Sequence, residues 1–452
     1  MSHGQHLNRR AFLRTTGLTA VVGAAAGRTG VAASAGGATG TTAAETYDFD
    51  TIVDRFDTDC VKYDRQRRLF PNDRVEIGMG IADMDFRAAP SVTRALRERL
   101  EHEVWGYLDM PRKFPDSIIA WNKRRYGVDI QPDQLVISAG VHPALIYALQ
   151  TFTPRGGKVL MTTPVYNGFY TDLRFAQLRA EESPLRLADG RYSIDFEDFE
   201  RRISHETNTF ILCNPHNPTG NCWSPEDLMR LGEICLRRRV IVLADEIHCD
   251  FVNKGQKYTP FASLPDKAIV DNSITFKAAS KSFGLAAHKI AWYHSTNRDL
   301  LARLNANHRA DLNTLGVVAN MGAYDGGEAW LDQCVSYIDG THTFVEEYVK
   351  SNIPLVKCAK PEGTYLVWLD IREVIDRLNA RAEAEAATRR EGQTVTVSNI
   401  LERFFVKHAR VHLNPGATFG FGGDTHMRMN IATSRKLVER ALSNIAEALR
   451  TI

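Results

Sequence analysis

The lysine with the clearest potential for covalent chemistry is Lys281, in the run Ala-Ala-Ser-Lys-Ser-Phe-Gly at residues 278–284. Its neighbours are small or hydroxylated, so the backbone can approach a phosphate while the amine remains free to form a Schiff base with an aldehyde. Taken alone the pattern is weak, because most lysines are solvated surface charges. Its meaning depends on which other residues can share a site with it.

Two polar residues upstream would complement a pyridine ring that carries an aldehyde. Asp245 follows the apolar run 240–244, and a carboxylate there could keep the ring nitrogen protonated. Asn217, in Asn-Pro-His-Asn-Pro-Thr-Gly (214–220), could donate its amide to a phenolic oxygen. Each has an ordinary alternative, since Asp often caps helices and Asn-Pro and Thr-Gly are common turn dipeptides. With Lys281, they indicate pyridoxal phosphate (PLP).

Gly140 and Tyr166 would hold the rest of such a cofactor. Gly140 lies at a predicted strand-to-helix junction, with Pro143 suited to the first helical turn, and free backbone N–H groups there favour a phosphate. Tyr166 follows another strand and could stack on a pyridine ring. The alternatives are an ordinary turn glycine and a core aromatic residue.

Arg428 is the candidate for binding a substrate carboxylate. It lies in a predicted strand, His-Met-Arg-Met-Asn-Ile-Ala (426–432), and a guanidinium can bind a carboxylate through two parallel hydrogen bonds. The alternative is a salt bridge on an edge strand.

These residues must be positioned by strands, helices and the turns between them. Short apolar runs at 159–162, 210–213 and 240–243 predict strands. Between the last two, Ser224 is a helix cap, Pro225 begins the helix, acidic residues fill its first turn and the arginines at 237–239 end it. Strand, helix and strand predict a parallel, right-handed unit, and its repetition predicts an open α/β sheet with ligands at the carboxyl ends of the strands.

The predicted organisation is a large domain with a mostly parallel sheet and a smaller α+β domain. We assign residues 47–90 to the small domain, 91–325 to the large PLP-binding domain and 326–452 to the small domain again. In the last part, 330–351 predicts a long helix and 363–369 a strand. The Ala-, Glu- and Arg-rich stretch at 381–390 predicts a solvated helical insertion.

The first 35 residues are typical of an export leader. Asn-Arg-Arg-Ala-Phe-Leu-Arg (8–14) resembles a twin-arginine signal, a Gly/Ala-rich apolar stretch follows, and Ala-Ser-Ala (33–35) offers a cleavage site. The apolar stretch is too short for a membrane span. We therefore expect a signal peptide at 1–35 that is removed on export to the periplasm or medium, and a disordered linker at 36–46. The alternative is a disordered tail with a chance pair of arginines.

Charge and cysteine content exclude several other classes of protein. The chain of 452 residues has a formal charge of +2, and without the four arginines of the leader it has 52 basic and 54 acidic residues. That balance does not suggest a nucleic-acid surface. Seven cysteines without a C-x-x-C pair argue against a disulfide framework or a zinc site, and we predict no metal.

The order of these motifs resembles the fold-type I PLP-dependent enzymes, the aspartate aminotransferase superfamily. Within it the chain looks most like the MalY/PatB branch of cystathionine β-lyases and cysteine C–S lyases. The finer resemblance lies in Ile-Ala-Asp-Met-Asp-Phe (81–86) with Trp-Gly-Tyr (105–107), and in Asp-Glu-Ile-His-Cys-Asp (245–250). In the last motif His248 stands where ordinary aminotransferases more often have tyrosine. The likeness runs from about residue 48 to the C-terminus and spares the leader and the insertion at 380–395.

The resemblance implies a role for each matching position. Lys281 would bind PLP and move the proton, and Asp245 would pair with the pyridinium. The other implied cofactor-binding residues are Gly140 and Val141 at the phosphate, Tyr166, Asn217, His248, Ser280 and Lys289. Tyr107 would reach the phosphate of a neighbouring subunit, which implies a homodimer with shared sites. Arg428 would bind the substrate carboxylate, with Ile81 and Ala82 lining that end.

Two departures keep a second reaction open. Gly284 stands where this branch usually has asparagine, and Lys289 lies eight residues after Lys281, where many aminotransferases place a phosphate-binding arginine. The expected reaction is β-elimination from S-substituted L-cysteines to thiol, pyruvate and ammonia, and the alternative is transamination of an L-amino acid. An exported binding or regulatory protein that keeps PLP only structurally is a third possibility.

Overall fold

The computed structural model describes residues 45–452, so the predicted leader and nearly all of the predicted linker lie outside the described residues. The strands within this part are β1 (Ile77–Gly78), β2 (Leu135–Ser138), β3 (Lys158–Thr163), β4 (Arg179–Pro184), β5 (Arg186–Ala188), β6 (Arg191–Ser193), β7 (Thr207–Cys213), β8 (Ile241–Asp245), β9 (Ser273–Lys277), β10 (Ala291–His294), β11 (Leu366–Asp370), β12 (Val411–His412), β13 (Asn414–Pro415) and β14 (His426–Asn430).

The α-helices of the described residues surround these strands. They are α1 (Asp64–Leu69), α2 (Pro90–Leu100), α3 (Lys113–Tyr126), α4 (Val141–Phe152), α5 (Gly168–Ala176), α6 (Phe196–Arg202), α7 (Pro225–Arg237), α8 (Lys267–Asp271), α9 (Ala279–Ser282), α10 (Arg298–Asn305), α11 (Thr314–Gly326), α12 (Glu328–Asn352), α13 (Arg372–Arg377), α14 (Ala380–Glu391), α15 (Val397–Phe404) and α16 (Arg435–Leu449). Helix α7 begins as predicted, because the Ser224 side chain accepts a hydrogen bond from the Asp227 N–H and Pro225 occupies the first turn.

Seven strands form the central sheet in the order β2-β10-β9-β8-β7-β3-β4. Strands β3, β4, β7, β8 and β9 run parallel, and β10 runs antiparallel to both of its neighbours. The predicted α/β architecture with a mostly parallel sheet is therefore confirmed. The carboxyl ends of its parallel strands lie along one edge, where the candidate residues gather.

Side chains of the central strands alternate between two apolar cores. On β3, Val159 and Met161 pack on one face with helices α4 and α5, whereas Leu160 packs on the other with α6 and α7. This alternation follows from the pleat, which directs successive side chains to opposite faces. Because both faces are covered, the strands read as continuous apolar runs in the sequence.

The C-terminal part has a second, three-stranded sheet in the order β11-β14-β13. Helix α12 packs its buried residues, which recur every three or four positions, into a third core that also includes residues from 49–130. Helix α14 confirms the predicted helix at 381–390. The helix is not solvated on every side, as the prediction of a solvated insertion implied, because three of its alanines are buried. Residues 46–452 form one compact unit, so the boundaries at 90/91 and 325/326 stay predictions.

Two further features concern the described residues as a whole. Between residues 45 and 452 we find no helix with the length and apolar character needed to cross a bilayer. All seven cysteines lie in this range as free thiols, and five are buried, so they pack as small apolar side chains.

Candidate active site

Lys281 lies at the carboxyl end of β9, in the short helix α9. It lines a cavity of about 320 Å³. Its Nζ donates a hydrogen bond to the carbonyl oxygen of Ala82 at 2.7 Å. Desolvation in the cavity lowers the pKa of the amine from 10.5 to about 8, against the raising effect of Asp83. A large fraction of the amine is therefore neutral near pH 8, the form that serves as nucleophile or base.

Asp245 ends β8 and lies on the wall of the same cavity. Burial raises the pKa of its carboxyl from 3.8 to about 6, although the Ile247 N–H donates to Oδ1 at 3.1 Å and partly offsets that effect. The group is thus mostly ionised at neutral pH and strongly favours a cation beside it. A protonated pyridine nitrogen is such a partner.

The N-terminus of α4 forms an anion site at another edge of the cavity. Gly140 is its cap residue with φ of +148°, a backbone conformation that disfavours side chains, and within residues 45–452 no side chain caps the first N–H groups. These N–H groups and the helix dipole favour a phosphate. Val141, Ser280 and Lys289 line the same cavity, so a lysine amine and a serine hydroxyl also face it.

Asn217 lies in the loop after β7 and faces both the cavity and the small sheet. Its Oδ1 accepts a hydrogen bond from Arg428 Nη1 at 2.9 Å. Because the oxygen is engaged, the amide hydrogens on Nδ2 are the group that Asn217 can offer to a ligand oxygen.

Arg428 is 2 % exposed and lies behind Asn217, outside the residues that line the cavity. Nη2 donates to the Gly80 carbonyl at 2.8 Å, while Nε has no partner among the described residues. Burial lowers the pKa of Arg428 to about 10, because neutral oxygens rather than acidic groups surround it. The alternative of an edge-strand salt bridge is wrong, since β14 lies between β11 and β13. The group is instead a buried cation suited to an incoming anion.

Tyr166 and His248 also line the cavity. Burial raises the pKa of the Tyr166 phenol to about 12. His248 is buried, its pKa lies well below the ordinary value, and its Nδ1 lacks a partner among the described residues. A neutral imidazole with an unused ring nitrogen can face an uncharged or anionic ligand.

The segment 80–86 forms a further wall near the lysine. Beside the Lys281 contact, Ala82 O accepts from Tyr365 Oη at 3.2 Å, and the Asn430 amide donates to the Ile81 carbonyl at 2.6 Å. Ile81 and Ala82 thus lie near Lys281 through their backbone. The segment is anchored by an ion pair absent from the sequence-based site, Lys62 Nζ to Asp85 Oδ2 at 2.8 Å.

Tyr107 differs from the other predicted site residues. Its side chain is fully exposed, and it lies outside the residues that line this chain's cavity. The neighbouring Trp105 and Val104 are also exposed.

Sequence reasoning missed His142 and Asp172. His142 lines the cavity beside Val141, and its Nδ1 lies 2.8 Å from an Asp172 oxygen. The signal available was a histidine directly after the predicted phosphate turn. Its partner, thirty residues away on α5, left no local pattern.

Comparison with known proteins agrees with this geometry. The family model described as aminotransferase class I and II matches residues 74–445. The chain is 37% identical to cystathionine beta-lyase PatB of Bacillus subtilis over 89% of this chain and 99% of the relative. It is 27% identical to protein MalY of Escherichia coli over 90% and 100%.

Two solved structures share the fold over nearly their whole length. The PLP-bound C-S lyase from Staphylococcus hominis is 31% identical, with a TM-score of 0.79 over 90% of this chain and 99% of that chain. Cystalysin from Treponema denticola, described as containing a pyridoxal 5'-phosphate cofactor, is 29% identical, with a TM-score of 0.81 over 90% and 100%.

Proposed function

The chain belongs to the aminotransferase class I and II family, and from that premise we propose that it is a PLP-dependent carbon–sulfur lyase. It would cleave cystathionine or other S-substituted L-cysteines to a thiol, pyruvate and ammonia. The observation that carries the proposal is the gathering of Lys281, Asp245 and Asn217 around one cavity at the carboxyl ends of adjacent strands. The C–S lyases and cystathionine β-lyases among its relatives support the choice of reaction.

The residues present fit PLP. The uncapped N-terminus of α4 suits its phosphate, the buried Asp245 carboxyl suits its pyridinium, and the amide of Asn217 suits its phenolic oxygen. When bound, PLP draws the electron pair of the substrate's Cα–H bond into its ring, which makes the α-proton removable.

The chain's own groups would then carry the elimination. The Lys281 amine, with its lowered pKa of about 8, would take the α-proton, and the Asp245 carboxylate would keep the pyridine nitrogen of the cofactor protonated. Arg428 orients the substrate through its carboxylate. The bond from Cβ to sulfur breaks, and the sulfur leaves with the bonding electron pair.

Transamination is the second candidate, and Lys289 and Gly284 favour it. Lys289 lines the cavity in the left-handed conformation, φ +53°, where aminotransferases of this fold often place an arginine. Gly284 also has positive φ, +68°, beside Met84.

One assay separates the two reactions. Purified enzyme is incubated with S-methyl-L-cysteine and no keto acid, and pyruvate and methanethiol are measured over many turnovers. Sustained release of both products supports the lyase. A single turnover that stalls until a keto acid is added supports the aminotransferase and contradicts the proposal.

A homodimer with shared active sites is part of the proposal. Trp105 and Tyr107 are exposed in a segment without regular structure, and a second copy of the chain would cover them while receiving Tyr107 at its phosphate site. Light scattering of the full-length, unprocessed protein should give twice the chain mass of 50.6 kDa. Tyr107→Phe should weaken PLP binding without changing that mass, and a stable active monomer would contradict the shared site.

Export by the twin-arginine route is the last part of the proposal and rests on residues 8–14 and 33–35 of the sequence. Replacement of Arg9 and Arg10 by lysine should retain the protein in the cytoplasm. Mass spectrometry of the exported protein should find an N-terminus directly after Ala35. Export that survives the double substitution would contradict this route.

A further inference from the structure

A histidine–aspartate pair lies against the tyrosine of the cavity. His142, in the first turn of α4, places Nδ1 2.8 Å from Asp172 on α5, and its Nε2 lies 3.3 Å from the Tyr166 hydroxyl. The pair is built into the fold, because a side chain at Gly168 would have its Cβ 2.7 Å from the His142 ring and 2.5 Å from the Tyr166 ring. Only glycine permits this approach of the two rings.

The surroundings of His142 favour its charged form. Desolvation would lower the pKa of the imidazole, but the hydrogen bond and charge of Asp172 outweigh it and raise the pKa above 6.5. Asp172 is 2 % exposed and has no competing cation in the described structure. The other charged groups that act on His142 are Asp245, which raises its pKa, and Lys281, which lowers it.

Protonated His142 determines where the Tyr166 proton points. Both ring nitrogens of an imidazolium donate, so Nδ1–H donates to Asp172 and Nε2–H to the Tyr166 oxygen. The Tyr166 O–H must then donate elsewhere, and the cavity is where the rest of its ring faces. Burial raises the pKa of the phenol to about 12, so Tyr166 holds its proton until a strong base accepts it.

We propose that His142, held by Asp172, is a positioning residue that makes Tyr166 the proton donor to the departing sulfur. The inference rests on the proposed lyase reaction. As the Cβ–S bond breaks, the sulfur takes the electron pair and the Tyr166 proton, and the Tyr166 oxygen takes the Nε2 proton of His142. The imidazole is left neutral. Its side chain is 47% exposed, so it regains a proton from water.

The role predicts a dependence on the leaving group. An alkyl thiolate is a strong base, with a conjugate acid of pKa about 8.5 or higher, and gains from protonation as it leaves. Chloride is so weak a base that it needs no proton. His142 should therefore matter for S-methyl-L-cysteine and not for β-chloro-L-alanine, although both eliminations share the removal of the α-proton.

The test compares His142→Gln, Tyr166→Phe and the double variant, with His205→Gln at an exposed surface histidine as control. His142→Gln should lower kcat/KM for S-methyl-L-cysteine by about 10- to 100-fold, less than the roughly 10²- to 10⁴-fold that a proton donor itself contributes, because Tyr166 remains in place. It should change the value for β-chloro-L-alanine by about twofold at most. Because His142 acts through Tyr166, the double variant should lose no more than Tyr166→Phe alone.

Two readouts do not depend on turnover. The PLP affinity and visible circular dichroism of the His142→Gln holoenzyme should match the wild type. The Cε1 NMR signal that is absent from the His142→Gln spectrum identifies His142. In the wild type this signal should titrate above pH 6.5, and in Asp172→Asn it should titrate at a lower pH. The alkaline fall of activity on S-methyl-L-cysteine should move to lower pH in Asp172→Asn, since its neutral amide no longer raises the pKa of His142.

Equal losses on both substrates, no loss on either, or an additive double variant would overturn the role of His142. These outcomes differ from failure of the lyase proposal, in which the wild-type enzyme itself would not sustain pyruvate release from S-methyl-L-cysteine.

Discussion

Replacement of Arg428 by methionine should remove the recognition of the substrate carboxylate and leave the fold intact. Arg428 is buried in the middle strand of the small sheet, and its hydrogen bonds reach only the neutral oxygens of Asn217 and Gly80. Methionine has a similar unbranched side chain, so it fills the space without the charge. The variant therefore tests the charge rather than the packing.

The expected size of the effect follows from the cost of burying the guanidinium without an acid. Burial lowers the pKa of Arg428 from 12.5 to about 10. That difference corresponds to about 3 kcal/mol, which a bound carboxylate can recover. Two charge-assisted hydrogen bonds of about 1.5–3 kcal/mol each give a similar figure. We expect kcat/KM to fall by about 200-fold.

The assay uses a pair of substrates that differ only in the carboxylate. Pyruvate or pyruvamide release is measured with S-methyl-L-cysteine and with its carboxamide, for the wild type, Arg428→Met and the surface control Arg440→Met. The wild type should prefer the acid strongly, and Arg428→Met should lose most of that preference. Thermal unfolding should show a small change only, because the loss of two hydrogen bonds is opposed by the removal of an uncompensated buried charge.

A loss of equal size on the acid and the carboxamide would refute this reasoning, since it would assign Arg428 to the shape of the site and not to the carboxylate. So would a value of kcat/KM for the acid that stays within fivefold of the wild type.

Three other predictions test the electrostatics of the site. Because the pKa of Lys281 is about 8, its acylation in the cofactor-free enzyme should speed up about tenfold per pH unit below pH 8 and then level off. The rate is measured from the amount of labelled Lys281 peptide. A rate that continues to rise up to pH 10 would contradict the lowered pKa. Asp245→Asn should still bind PLP, seen by its visible absorption, but release pyruvate about 10²- to 10⁴-fold more slowly, because an amide does not hold the ring nitrogen protonated. Lys62→Met should lower the free energy of unfolding by about 3 kcal/mol in urea melts, because it leaves the buried Asp85 short of a partner, whereas the exposed Lys257→Met should change it little.

The fold was predictable where local chemistry alone determines structure. Ser224 and Pro225 mark the start of α7 because capping and proline geometry act within a single turn. The strands at 159–162, 210–213 and 240–243 were found because both sheet faces are covered, which makes the runs uniformly apolar. The parallel pairing of β7 with β8 followed from the order strand, helix, strand, a rule that needs no knowledge of side-chain contacts.

The site was predictable for the same reason, to the extent that each residue lies at or just beyond the end of a strand. Asp245 ends β8, while Asn217 and Lys281 follow β7 and β9, and adjacency of those strands brings the three together. Arg428 was assigned correctly to a strand. Only its alternative, a salt bridge on an edge strand, was wrong, because strand order in the small sheet depends on pairing between β11 and β14 across many intervening residues.

The contacts that set proton positions could not be read from the sequence, because they join distant elements. His142 and Asp172 meet only because α4 packs on α5, and Gly168 permits their approach to Tyr166. Lys62 and Asp85 each look like surface charges, yet Lys62 is fully buried. The Asp85 N–H donates to the carbonyl of Ala432, just after β14, so the partner of Lys62 is placed by a contact between distant parts of the chain.

The Ala82 carbonyl connects these distant contacts to the chemistry. It accepts the hydrogen bond of the Lys281 amine, so its position sets where the amine rests. That carbonyl belongs to segment 80–86, which Lys62 holds through Asp85 and Asn430 holds through Ile81. A substitution at Lys62, which is far from Lys281 in the sequence, should therefore alter the reactivity of Lys281 as well as the stability of the protein. The motif around Lys281 identifies the reactive group, and the carbonyl that holds its amine belongs to a segment anchored by the buried pair of Lys62 and Asp85.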